Sequence, residues 1–145
     1  MVWFRSKGVL KVEIHTQNRE DFNDVHFEKI EGICEILDLP HHIASLAYDL
    51  WVELLMKVPR SPVRLLADCI YVVAFMTGRR RSIKSLADAS KTITGFRVRV
   101  MSKDSRRAGT RWVQTEEIKP LILSVIPDEE ALDLLLSEYP PVEGD

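Results

Sequence analysis

Between residues 79 and 111 the chain sets eleven cationic side chains, Arg79, Arg80, Arg81, Lys84, Lys91, Arg97, Arg99, Lys103, Arg106, Arg107 and Arg111, against two carboxylates, Asp88 and Asp104. This local balance of +9 sits inside a protein of 145 residues whose formal net charge is −2. Like charges crowded in this way repel one another and oppose folding, so the chemistry they suit is attraction of a polyanion. Arginine adds geometry to charge, because its planar fork pairs bidentately with the edge of guanine and its permanent charge also serves phosphates. After residue 111 the sign reverses, with nine carboxylates against Lys119, and residues 1–78 carry −3. The plain alternative for such a run is a solvated surface.

Catalytic and metal chemistry find no comparable footing. His15, His26, His41 and His42 do not combine with cysteines or carboxylates at metal-ligand spacing. Gly78, followed by three arginines and Ser82, lacks the Gly-Lys-Ser/Thr of a phosphate loop, and there is no Gly-x-Ser-x-Gly elbow. Cys34 and Cys69 lie in apolar helical patterns, where a free thiol acts as a small hydrophobe. The expectation is a binding protein that is not an enzyme and uses no cofactor or metal.

The elements that must position the cations read mostly as helix, in one domain by length. Ile43, Leu46, Ala47, Leu50, Trp51, Leu54, Leu55 and Val58 keep the three-four spacing of one helical face over about four turns. Before them Phe27, Ile30, Cys34 and Leu37 trace a shorter stripe, broken at Asp38, Leu39 and Pro40. Ser61 is a good N-cap and Pro62 fits the first helical position, so a third helix follows. It is apolar on most sides, through Leu65, Leu66, Cys69, Ile70, Val72, Val73, Phe75 and Met76, and so belongs at the centre of a bundle, ending at Gly78. Ser82 caps a short helix through Ile83, Leu86 and Ala87, with a turn over residues 89–94.

Several of these pieces together carry a family resemblance. Arg60, Ser61 and Pro62, the run Leu66-Ala67-Asp68-Cys69-Ile70-Tyr71-Val72-Val73-Ala74, Gly78, and the start Arg80-Arg81-Ser82-Ile83-Lys84-Ser85-Leu86-Ala87 resemble the second cyclin-like repeat of archaeal transcription factor B and transcription factor IIB. The match spans residues 27–101. It implies a cyclin-like helical bundle ending in a helix-turn-helix whose last helix enters the major groove, with Arg97 and Arg99 in place of the family's paired arginines. Arg79, Arg80, Arg81 and Lys84 would then hold phosphates at the start of the preceding helix. Lys91, Arg106 and Arg107 complete the DNA-binding set. The departures are a turn about one residue short, Gly95 in the recognition segment, and the lack of a zinc ribbon and of a first repeat.

Residues 96–114 admit two readings. One is the recognition helix. The other is a β-hairpin over residues 96–101 and 110–114, joined by a strand at residues 9–14 into a three-stranded sheet, with Arg106 and Arg107 at the tip of a wing. The resulting expectation is a mainly α protein with a 1–26 extension that holds the strand, a 27–101 helical domain, and a 102–145 extension of acidic helices. In that last part Ile118, Leu121, Ile122, Val125 and Ile126 form one apolar stripe and Ala131, Leu132, Leu135, Leu136 and Tyr139 another, in a helix expected to open with Pro127 at its first position. They either pack on the bundle, face a partner, or bring an acidic arm over the basic run.

The function expected is a double-stranded DNA-binding transcription factor or regulator. The alternative is a cyclin-like interaction module that engages TATA-binding protein or RNA polymerase without touching DNA. Few aromatics accompany the cations, which disfavours single-strand binding. With no membrane-length apolar run and no signal-peptide pattern, an intracellular location is expected, cytoplasmic or at the nucleoid.

Overall fold

The computed structural model describes the backbone of residues 8–20 and, in full, residues 21–95, 97 and 116–138. Among these residues the protein is mainly helical, with helices α1 (Gly8–Ile36), α2 (His41–Leu54), α3 (Pro62–Met76), α4 (Ile83–Thr94), α5 (Lys119–Val125) and α6 (Glu129–Ser137), and no strand.

α3 is the axis of the core. Every residue from Leu65 to Met76 is buried, and α1, α2, α4 and α6 all pack against it. Its start follows from local chemistry: Ser61 caps it by accepting from the Arg64 N–H, and Pro62 occupies the first turn. α2 turns Ile43, Ala47, Leu50, Trp51 and Leu54 inward, and the Trp51 indole donates to the Pro62 carbonyl at 3.0 Å. Ile118, Ile122 and Ile126 around α5, and Leu132 and Leu135 of α6, join the same buried cluster, with α5 lying on α2.

The two chain reversals after α1 and α3 are built alike. At the first, Leu39 N–H bonds back to Cys34 O at 2.8 Å and Asp38 N–H to Glu35 O, with Asp38 in the left-handed region at φ 56°. At the second, Arg79 N–H bonds to Ala74 O and Gly78 N–H to Phe75 O, with Gly78 at φ 78°. Both close the helix end with a reverse loop that satisfies its last carbonyls.

Three expectations are corrected. Residues 9–14 are not a strand but lie within α1, which runs unbroken across residues 26 and 27. Six residues of alternation cannot hold a strand without a partner edge, whereas a helix satisfies its own backbone. Residues 89–94 are not a turn, because α4 continues to Thr94 and stops at Gly95, a left-handed C-cap at φ 93°. The apolar stripe explains the extra length: Ala89 and Ser90 are buried, and Ile93 packs on Gly32 of α1, where an added Cβ would lie 2.9 Å from the Ile93 Cδ1. Finally, Pro127 precedes α6 instead of opening it. Asp128 is the cap, accepting from the Ala131 N–H at 3.0 Å. The expected hairpin at residues 96–101 and 110–114 lies outside the described residues save Arg97.

Candidate nucleic-acid interface

The basic run reaches the surface by way of the link from α3 to α4. α4 buries Ile83, Leu86, Ala87, Ala89 and Ser90 and so turns Lys84, Asp88 and Lys91 outward. Lys84 and Lys91 stand two turns apart on one side, about 10 Å along the axis. Arg79 and Arg80 are exposed just ahead of the helix, and Arg97 just beyond it.

These cations differ in what they already hold. Arg80 donates from Nη1 to Glu138 at 2.8 Å, and its guanidinium lies 5.4 Å from the centre of the Phe75 ring. Arg97 pairs with Asp88 across the end of α4. Arg79 reaches the Thr77 carbonyl only at 3.4 Å. Arg81 is turned inward: Nε donates to Leu37 O at 2.8 Å, Nη2 to Asp38 O at 3.1 Å, and Nη1 to the carbonyls of Arg79 and Arg80. It thereby clamps the C-terminal end of α1, where exposed carbonyls favour a cation, to the approach of α4. Arg99, Arg106 and Arg107 lie outside the described residues.

Other polar groups serve the core. Asp68, with no exposed side-chain surface, pairs with Arg60 at 2.6 Å, whose side chain is 8% exposed. His26 is stacked on Trp51 with ring centres 4.9 Å apart and shares a 2.7 Å hydrogen bond between Nδ1 and the Phe22 carbonyl. Burial holds its imidazole below the ordinary value. Burial also pushes the Cys34 thiol up to about 12 and that of Cys69 well above its ordinary value, so both are inert as nucleophiles near neutrality. Among the described residues no group of three His, Cys, Asp or Glu side chains could hold a metal.

Sequence reasoning missed the Arg60–Asp68 pair, although a carboxylate inside an otherwise apolar helix was the available signal. It also missed an open cleft of about 400 Å³ between α2 and α5, lined by Tyr48, Asp49, Val52, Glu53, Ser124 and Val125. Among the described residues no helix is long and apolar enough to cross a membrane. No family model, curated protein or solved structure matches this chain.

Proposed function

We propose that the protein binds double-stranded DNA and regulates transcription, laying the outward side of α4 and its approach against the phosphate backbone. The observation that carries this reading is the outward placement of Arg79, Arg80, Lys84, Lys91 and Arg97, with Asp88 the one carboxylate among residues 79–97. The axial separation of Lys84 and Lys91, about 10 Å, is close to the roughly 12 Å width of a major groove. The resemblance to transcription factor B adds the cyclin-like bundle and helix-turn-helix, with Arg97 and Arg99 as base-reading residues and Arg106 and Arg107 as further phosphate contacts. A cytoplasmic or nucleoid location follows from the same reading.

The test is binding to a labelled short duplex of mixed sequence. Replacing both Lys84 and Lys91 by alanine is expected to weaken it about tenfold at ~0.1 M salt, evenly across sequences. Unchanged affinity in that variant, or no duplex binding by the parent protein, would sink the reading.

One observation favours an interaction module instead. Val52, in the wall of the cleft that holds Asp49 and Glu53, is exposed on α2, and Met56, in the turn just after α2, is 91% exposed. Under that reading TATA-binding protein or RNA polymerase is retained by the parent protein and lost by Met56→Asp, with duplex DNA ignored by both.

A further inference from the structure

Among the described residues, the acidic end of the chain touches the basic run at Arg80. α6 lies on α3 with Leu132 and Leu135 buried, and this docking brings the end of the helix to residue 80. There the Glu138 carboxylate accepts from Arg80, and the Phe75 ring supports the guanidinium. Glu138 also sits where a carboxylate is least welcome. Its N–H closes the last turn of α6 on the Leu134 and Leu135 carbonyls, so its charge lies at the negative end of the helix dipole. Arg80 relieves that repulsion. Because the two side chains are 37% and 41% exposed, the pair is held weakly and is easily exchanged.

From this contact we infer that Glu138 is an internal competitor for the DNA site, an inference that rests on the DNA-binding reading. Without DNA the carboxylate occupies Arg80. A phosphate backbone, bearing one charge per ~1.7 Å of duplex, displaces it, and a lone acidic group does not. Leu132 and Leu135 keep α6 docked through the exchange, so only the side chain of Glu138 has to move. Phe75 holds the guanidinium in place for either anion. The acidic helix thus sets a threshold that favours dense polyanions over scattered carboxylates.

The experiment uses the full chain and the same labelled duplex. Glu138→Gln is expected to bind about two- to fivefold tighter at ~50 mM salt, the gain shrinking at ~200 mM. In an Arg80→Ala background the same substitution is expected to change nothing. Glu130→Gln removes the same charge from the exposed first turn of α6 and is expected to have the smaller effect. Thermal melting establishes that each variant is folded. Unchanged affinity in Glu138→Gln, an equal gain in Glu130→Gln, or a gain that persists without Arg80 each overturns the inference. If Lys84 and Lys91 matter to binding and Glu138 does not, the competitor fails alone. If no variant or parent protein binds duplex, both readings fall together.

Discussion

A carboxylate without solvent exposure in the middle of α3 is a liability unless a cation is brought to it, and Arg60 is that cation. Arg60→Ala takes the cation from beside a buried charge. The expected loss is about 3–5 kcal/mol of stability, seen as a lower denaturant midpoint. A loss below ~1 kcal/mol would show that Asp68 is stabilised by other means. His26 makes a pH-dependent prediction. Its folded pKa lies below the ordinary 6.5, so the unfolded chain takes up the proton first on acidification. The stability linked to His26 is therefore complete above about pH 6.5 and falls away below it. Melting temperatures measured from about pH 8 to 5 should show this decline, and His26→Phe should remove part of it. Of these two roles the sequence signalled only the lone carboxylate in an apolar helix, because ion pairing and ring stacking join residues whose contact depends on the tertiary fold. The residue types of the basic run were legible, but their orientations were not. Only the fold distinguishes Arg81, which faces carbonyls, from Lys84, which faces solvent.

At the scale of elements, legibility followed the strength of the apolar period and of the punctuation. α2 and α3 were readable because Ile43, Ala47, Leu50 and Leu54 recur at helical spacing and Ser61 with Pro62 announces a start. Asp38 and Gly78 both mark real reversals. α1 was misread at its beginning, where Val9, Val12 and Ile14 mix with Lys11 and Glu13 and fit a strand as well as a helix. α4 was cut short because Ser90, Thr92 and Thr94 look like turn residues. In the helix Thr92 and Thr94 donate their hydroxyls to the carbonyls of Asp88 and Ser90 four residues back. Such bonds let polar residues continue a helix when Ala89 and Ile93 have a surface to meet. The consequence for the candidate site is direct: Gly95, at φ 93°, separates α4 from Arg97. Any base-reading segment starts beyond that cap.

At the scale of the molecule, the C-terminal helices belong to the bundle. Ile118, Ile122, Ile126, Leu132 and Leu135 lie in the same buried cluster as α3. Of the readings open for the acidic tail, packing is realised among the described residues, together with the Glu138–Arg80 contact to the basic run. Leu135→Ala is expected to cost about 2–5 kcal/mol. Removing residues 127–145 is expected to lower the melting temperature and to raise binding of an apolar dye. Unchanged melting in the truncated chain would mean that α6 rests on the bundle without supporting it.

Under the proposed DNA-binding reading, the inward turn of Arg81 also has a thermodynamic consequence. A duplex carries condensed counterions, and each cation that reaches a phosphate sets free about 0.9 of one, which steepens the salt dependence of affinity. Arg81 has already given its guanidinium to four main-chain carbonyls and releases none. The slope of log affinity against log salt therefore counts the cations that face outward. It falls short of the charge written in the sequence by every arginine the fold keeps for itself.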